Sequence, residues 1–167
     1  VLEVGPGTGI LTQALAKNAG KVIAVEKDKE LAERLRLSLT SDGVENVEVI
    51  TGDILKLVQS CVPSLAWHGF QAKLGTKYKI VANIPYYLTS RLFRLLLESE
   101  TRPELIIMTV QKEVAERLAA QPSKMNLLAL SVQVYGTPKV IASVPASCFS
   151  PRPKVSSSII RISDISS

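Results

Sequence analysis

The chain is poor in the residues from which metal centres, disulfide frameworks and histidine-based catalytic sites are built. It has two cysteines and one histidine among 167 residues. Cys61 and Cys148 lie far apart and lack the close spacing of metal ligands, so we expect no metal site and no disulfide-stapled secreted fold. Both are expected to be small apolar fillers in a reducing, cytoplasmic compartment. The lone His68 gives no basis for a histidine triad.

Long apolar runs are also missing. No apolar stretch approaches the length of about 18 residues that a membrane-spanning helix needs, so we expect no membrane role. With 46% hydrophobic and 21% charged residues, the composition is that of a folded globular protein. The length suits one domain, residues 1–167, and we expect a monomer. Val1 lies inside a predicted strand without a preceding methionine, so we expect the natural N-terminus to be missing from this sequence.

Positive charge is concentrated toward the C-terminus. The formal net charge is +5. Residues 102–167 hold eight Lys and Arg against four Asp and Glu, whereas residues 1–101 are nearly balanced. Such a surface favours polyanions, because contacts to phosphates release counterions. A basic surface that only aids solubility explains the charge equally well, and composition alone leaves both explanations open.

Short apolar, β-branched runs alternate with segments of helical period. The runs predict strands at residues 1–4, 22–26, 47–50, 79–82, 105–110, 139–144 and 156–162. The helical segments cover residues 10–18, 29–39, 91–98, 112–120 and 127–135. Near-continuous apolar strands are typical of a sheet covered on both faces. The alternation therefore predicts a doubly wound α/β fold with a mostly parallel, seven-stranded sheet. No element is assigned to residues 56–78.

Local signals predict where some helices begin and end. Asp28 is expected to cap the second helix, and Thr89 or Ser90 the third. Gly20 is expected near the C-terminal cap of the first helix. The last two strands are expected to pair as a hairpin-like unit across residues 145–153.

Three strand ends carry residues suited to a nucleoside-like ligand, which in such sheets binds beyond the carboxyl ends of the strands. Residues 5–9, Gly-Pro-Gly-Thr-Gly, follow the first strand and let a ligand approach the backbone closely. Their spacing differs from the Gly-x-Gly-x-x-Gly of dinucleotide sites. Glu26 ends the second strand, where a carboxylate can accept hydrogen bonds from both ribose hydroxyls. Asp53 follows the third strand and can accept from an adenine amino group while Ile54 flanks the ring. As alternatives, either acid is a helix cap or a solvated loop residue.

Asn83-Ile84-Pro85-Tyr86, after the fourth strand, is suited to holding an adenine amine. That amine is a poor nucleophile because its lone pair is delocalised into the ring. A site that accepts both N–H bonds draws the nitrogen toward tetrahedral geometry. The Asn83 side-chain oxygen and the carbonyl of Ile84 or Pro85 can do this, and Tyr86 can stack on a flipped-out base. No general base is required, since the proton can leave to water once the nitrogen is alkylated. The alternative is an ordinary turn.

Taken together, these motifs resemble the ribosomal RNA adenine dimethyltransferases of the KsgA type, which use S-adenosylmethionine. The resemblance covers nearly the whole chain. It rests on Glu-Val-Gly-Pro-Gly-Thr-Gly at residues 3–9, Glu26, Gly-Asp at 52–53, Asn-Ile-Pro-Tyr-Tyr at 83–87, Gln-Lys-Glu-Val-Ala-Glu-Arg-Leu at 111–118 and Phe-Ser-Pro-Arg-Pro-Lys-Val at 149–155. It implies a Rossmann-like S-adenosylmethionine-dependent methyltransferase fold.

The resemblance also implies a reaction, a partner and site residues. The reaction is the transfer of two methyl groups to each of two adjacent adenines near the 3′ end of small-subunit (16S) ribosomal RNA. The partner is that RNA or the pre-ribosomal small subunit. The implied cofactor-binding residues are Glu3, Gly5, Gly7, Gly9, Glu26, Lys27, Asp53, Ile54 and Asn83. The implied catalytic residues are Asn83, Pro85 and Tyr86, and the implied substrate-binding residues are Tyr86 and Phe149.

Two further residues are expected to contact RNA phosphates. Arg152 and Lys154 lie in a loop that two prolines hold extended beside the predicted site.

The chain departs from the family pattern at three places. Relative to that pattern, we expect a Gln-Asn-Phe type segment before the first strand and a small helical C-terminal domain to be missing from this chain. Asn126-Leu127 stands where the family often has Tyr-Gly. We therefore expect weakened cofactor and RNA binding. The alternatives left open are a large-subunit methyltransferase of the macrolide-resistance type, a non-catalytic RNA-binding assembly factor on the same fold, and a small-molecule methyltransferase.

Overall fold

The computed structural model describes residues 1–58, 70, 72–75 and 77–166. Cys61, His68 and most of the connection at residues 56–78 lie outside the described residues, as do the expectations made for them. The described residues divide into two compact units, Val1–Ala82 and Asn83–Ser167. We call these the N-terminal and the C-terminal unit.

The N-terminal unit alternates strands and helices. Its elements are β1 (Leu2–Val4), α1 (Ile10–Ala16), β2 (Val22–Glu26), α2 (Lys29–Ser41), β3 (Val47–Thr51), α3 (Ile54–Val58) and β4 (Lys79–Ala82). The strands lie in the order β3-β2-β1-β4, and β1 pairs in parallel with both β2 and β4. Every residue of β1 and β2 is buried, as expected of central strands covered on both faces.

The C-terminal unit is built around antiparallel strands. Its elements are α4 (Thr89–Leu97), β5 (Leu105–Gln111), α5 (Lys112–Leu118), α6 (Leu127–Gln133), β6 (Thr137–Val144) and β7 (Ser157–Ser163). One-turn 3-10 helices lie at Tyr86–Leu88, Pro122–Lys124 and Ala146–Cys148. β7 pairs antiparallel with β5 and with β6, so the expected pairing of the last two strands is confirmed.

The expected fold class is confirmed: seven strands form a mixed sheet within an α/β architecture. Within the described part of the chain, no helix is long and apolar enough to cross a bilayer.

The helix ends agree with the sequence prediction at one place and differ at two. The Asp28 side chain accepts from the backbone N–H of Glu30 and Leu31, at 2.8 and 3.0 Å, so this cap is confirmed. The expected cap at Thr89 or Ser90 is wrong, because Leu88 occupies the cap position and Thr89 is already helical and buried.

The expected role of Gly20 is wrong as well. α1 ends at Ala16, several residues earlier. The side-chain amide of Asn46 donates to the carbonyls of Ala16 and Ala19, each at 2.8 Å. A residue from the loop before β3 thus satisfies carbonyls that a glycine turn would otherwise satisfy.

The position of Asn46 generates a stability prediction. Asn46→Ala removes two part-buried hydrogen bonds, so we expect the free energy of unfolding to fall by about 1–2 kcal/mol, measured by urea titration. The matched control is Asn18→Ala, which removes one exposed bond to Ala14 and should change stability by less than about 0.5 kcal/mol. Equal losses in the two variants would contradict the assignment of Asn46 as the cap of α1.

Candidate functional site

The loop at residues 5–9, which we call the glycine loop, joins β1 to α1 in the N-terminal unit. Gly7 has a φ of +56°, in the left-handed region that favours glycine. A Cβ atom built on Gly7 would meet nothing within 4 Å, so its backbone faces open space. Gly5 anchors the loop, because its N–H donates to the carbonyl of Val25 at 2.9 Å. A ligand can therefore approach the backbone at Gly7.

Gly9 has a packing role in addition to the cofactor role that the family resemblance implies for it. It is buried, with a φ of +85°, and a Cβ atom there would lie 2.4 Å from Cδ1 of Leu35 in α2. The missing side chain therefore permits close packing of the start of α1 against α2. Leu35 carries no functional signal in the sequence, so this packing constraint was missed.

Glu26 connects the end of β2 to the glycine loop. The residue is 8% exposed. One carboxylate oxygen accepts from the backbone N–H of Gly7 at 3.1 Å, and the other accepts from Asp28 at 3.0 Å. Each oxygen retains acceptor capacity, so Glu26 can still accept from ligand hydroxyls. The bond to Gly7 was not predicted.

Glu3 is an unpaired acid inside the N-terminal unit. It is 1% exposed, and neither carboxyl oxygen has a hydrogen-bond partner. Burial raises its pKa to about 7; the nearby Thr12 hydroxyl opposes this shift, and the charge of Glu26 adds to it. The Thr12 hydroxyl also lacks a hydrogen bond of good geometry. Buried polar groups are normally paired, so Glu3 is suited to a ligand that brings a donor or a positive charge.

Asp53 lies two residues beyond β3 and combines two roles. One oxygen accepts from the Leu55 N–H at 3.0 Å and caps α3, while the other lies 3.2 Å from Nζ of Lys27. Burial acts to raise the pKa of Asp53, but the hydrogen bonds from Lys27 and Leu55 outweigh it and lower the pKa below its ordinary value. Asp53 therefore caps α3 through one oxygen, and the exposed Lys27 can move away and free the other. Ile54 is only 4% exposed, so its side chain packs into the core.

A separate cavity of about 250 Å³ lies in the C-terminal unit, and we call it the Tyr86 cavity. It is lined by Asn83, Ile84, Pro85, Tyr86, Phe149, Pro151 and Pro153. Its volume is below the about 300–1,000 Å³ of pockets that enclose drug-sized ligands. The cavity therefore suits one flat base flanked by Tyr86 and Phe149, residues 63 positions apart in the chain.

Acceptors for an amino group are available in this cavity. The Asn83 side chain is exposed and has no hydrogen bond within the described residues. Pro85, with φ −56° and ψ 137°, is the cap residue before the 3-10 helix, and its carbonyl already accepts from the Leu88 N–H at 3.1 Å. Of the two carbonyls considered, that of Ile84 is therefore the better candidate acceptor.

Arg152 and Lys154 alternate with the prolines that line the Tyr86 cavity. Both are exposed, and neither has an ion pair within the described part of the chain. They are free to contact phosphate groups next to a base in the cavity. The peptide bond between Ser150 and Pro151 is cis. Cys148 is exposed on the same loop, so the expectation that it fills the core is wrong.

One contact to Tyr86 was missed by sequence reasoning. Its phenolic oxygen lies 2.7 Å from the hydroxyl of Ser157, at the start of β7. The only signal was the run of three serines at residues 156–158, which does not single out one of them. Within the described residues, no group of three or more His, Cys, Asp or Glu is placed to hold a metal ion.

Comparison with known proteins adds a family match. The model of the family described as ribosomal RNA adenine dimethylase matches residues 1–167. The chain is 43% identical over 164 residues to the ribosomal RNA small subunit methyltransferase A of Dehalococcoides mccartyi, covering 97% of this chain and 52% of that protein. The corresponding protein of Moorella thermoacetica is 42% identical over 165 residues, with coverage of 97% and 56%. The chain thus spans about half the length of the curated relatives it matches.

Two solved structures are similar over nearly the whole chain. A dimethyladenosine transferase from Plasmodium falciparum gives a TM-score of 0.78 at 30% identity, covering 96% of this chain and 54% of that one. The 23S rRNA methyltransferase ErmE also gives 0.78, at 31% identity, with coverage of 97% and 59%.

The burial of Glu3 without a hydrogen-bond partner leads to a prediction about how stability depends on pH. Its pKa rises from 4.5 to about 7 in the fold, so the folded state retains a proton that the unfolded chain releases. Stability should therefore fall as pH rises from about 4.5 to about 7, by up to about 3 kcal/mol. Glu3→Gln should remove this loss, measured by urea titration at several pH values. The exposed Glu45→Gln serves as control and should follow the wild-type curve. Parallel curves for wild type and Glu3→Gln would show that the fold does not perturb this carboxyl.

Proposed function

The chain belongs to the ribosomal RNA adenine dimethylase family, and we propose that it transfers methyl groups from S-adenosylmethionine to the exocyclic amino nitrogen of adenines in small-subunit ribosomal RNA. The observation that carries the proposal is the Tyr86 cavity, which combines two aromatic side chains with the free amide of Asn83. The names of the curated relatives support the small subunit as the source of the RNA.

The N-terminal unit has residues that fit the cofactor. Gly7 faces open space, and Glu26 retains acceptor capacity for ribose hydroxyls. The carboxyl group of Glu3 has no hydrogen-bond partner, and a cationic amino group of the cofactor would be one. Asp53 would accept from the adenine amino group once Lys27 moves away from it. When bound, S-adenosylmethionine supplies an electrophilic methyl group on sulfur.

The C-terminal unit would hold the target adenine. Tyr86 stacks on the extruded base, an interaction worth on the order of 1–3 kcal/mol, and Phe149 flanks it. The Asn83 side-chain oxygen and the Ile84 carbonyl accept the two N–H bonds of the amine. The nitrogen lone pair is then released from the ring for attack. After alkylation the nitrogen is acidic, and its proton leaves to water without a general base.

The partner in this proposal is small-subunit ribosomal RNA or the pre-ribosomal particle that contains it. Arg152 and Lys154 would contact phosphates on either side of the extruded adenine. We infer that the protein acts as a monomer in the cytoplasm, where it meets this substrate.

A second candidate is methylation of large-subunit RNA, because the ErmE structure fits as well as the dimethyladenosine transferase does. The test is to offer the protein unmethylated small-subunit particles and naked large-subunit RNA with labelled S-adenosylmethionine. We expect label in small-subunit adenines, because the curated relatives are named for that subunit. Label in large-subunit RNA alone would replace the proposal by the second candidate. RNA binding without any transfer would favour a non-catalytic assembly factor.

The separate roles of Asn83 and Glu26 generate a paired prediction. Asn83→Ala should lower kcat by about 10²–10³-fold, the usual cost of removing one transition-state hydrogen bond, with cofactor affinity largely intact. Glu26→Ala should raise the cofactor Kd by at least about tenfold, because it removes the acceptor for the ribose hydroxyls. Methyl transfer and cofactor titration measure the two effects.

The exposed Glu33→Ala is the matched control and should leave both quantities unchanged. Undiminished transfer by Asn83→Ala would refute the assigned role of the amide.

A further inference from the structure

We infer that Ser157 is a positioning residue that holds the ring of Tyr86 in the orientation in which it stacks on the target base. The inference rests on the proposed function and adds a residue to it. It depends on the hydrogen bond between the hydroxyl groups of Ser157 and Tyr86. It also depends on the backbone of Ser157 being held more firmly than that of Tyr86.

The contact has the geometry of a strong neutral hydrogen bond. The oxygens of Tyr86 and Ser157 are 2.7 Å apart, the usual distance for an O–H···O bond. Ser157 is fully buried, whereas Tyr86 is half-buried at the Tyr86 cavity. A buried hydroxyl needs a partner, and the phenol of Tyr86 provides it. The bond thus extends from the inside of the unit to a side chain at the edge of the cavity.

Ser157 is anchored on both sides by the sheet. It is the first residue of β7, which lies between β5 and β6, and it is in register with Gln111 of β5 and Val144 of β6. Its backbone is therefore fixed by strand pairing in both directions. Its hydroxyl therefore has a fixed position, and a hydrogen bond to it can hold a more mobile side chain in place.

Tyr86 has a weaker local anchor. It lies in a single turn of 3-10 helix, Tyr86–Leu88, which begins directly after Pro85. Such short turns have few backbone hydrogen bonds, and the ring can rotate about χ1 and χ2 among several rotamers. A hydrogen bond through the phenolic oxygen lies near the ring plane, so it fixes the ring while leaving its face available to a base.

A double-mutant cycle tests this role in the full-length protein, with unmethylated small-subunit particles as substrate. Ser157→Ala and Tyr86→Phe each remove one side of the bond, and Tyr86→Phe keeps the stacking ring. Each should lower kcat/KM for RNA by about fivefold, the effect of one neutral hydrogen bond. Because both act through the same bond, the double variant should also lose about fivefold, not about 25-fold.

Ser158→Ala is the matched control. Ser158 is also buried, but successive strand residues point to opposite faces, so its side chain leaves the Tyr86 bond intact. Wild-type kcat/KM is expected for Ser158→Ala, and unchanged cofactor affinity for all four variants. A merely structural hydroxyl would affect thermal stability without coupling to Tyr86 in kcat/KM.

Several results would overturn the inference. These are multiplicative losses in the double variant, wild-type kcat/KM in Ser157→Ala, or equal losses in Ser157→Ala and Ser158→Ala. If Ser157→Ala fails to fold, Tyr86→Phe still tests the inference. Wild-type kcat/KM in Tyr86→Phe would show that the phenolic hydroxyl is dispensable and would overturn the inference. The absence of transfer by the wild-type protein would overturn the proposed function together with this inference, whereas the other outcomes affect the inference alone.

Discussion

The arrangement of the residues proposed to hold the cofactor depends on the parallel register of β1 with its two neighbours. Val4 is paired with Val25 in β2 and with Ala82 in β4, so three strands end at the same edge of the sheet. The glycine loop starts at that edge and Glu26 ends β2 there. Side chains alternate along a strand, so a shift of one residue in β2 would turn Glu26 to the opposite face and away from Gly7. The continuous burial of β2 between two exposed lysines makes this register specific, because a slip of one residue would move Lys21 or Lys27 into the buried sheet.

The two buried acids at this edge, Glu26 and Glu3, differ in the hydrogen bonds that the fold gives their carboxylates. Glu26 accepts from two backbone N–H groups, which stabilise its charge and fix its direction. Glu3 has no such donor, so its charged form is unfavourable, and its pKa is raised by burial first and then by the charge of Glu26. Folding alone would favour an apolar residue at position 3. An acid that is retained at a cost to stability is typical of a binding site, where the compensating group arrives with the ligand.

Sequence patterns correctly predicted the structural features that neighbouring residues determine. They failed for features that depend on residues far away in the chain. The strands followed from apolar runs, and the Asp28 cap followed from a side chain next to the N–H groups it accepts from. The end of α1 was misplaced because Asn46, 30 residues away from Ala16, donates to the carbonyl of that last helical residue. The packing of Gly9 against Leu35 and the bond of Tyr86 to Ser157 are also long-range, the latter across 71 positions. Asn83 and Phe149 were predicted as one site only through the family resemblance, since spacing alone does not bring them together.

The acids assigned to the cofactor and the walls of the Tyr86 cavity lie in different parts of the sequence, and this bears on how such a fold changes its RNA target. The acids assigned to the cofactor all lie before residue 58, whereas the walls of the Tyr86 cavity come from residues 83–153. The donor requires the same contacts whichever RNA is methylated. An extruded adenine also presents the same ring and amine in any RNA, so neither the cofactor residues nor the cavity walls can distinguish small-subunit from large-subunit targets. Under the proposed function, discrimination would have to come from groups that contact the RNA flanking the adenine, and the exposed Arg152 and Lys154 beside the cavity are candidates for this role.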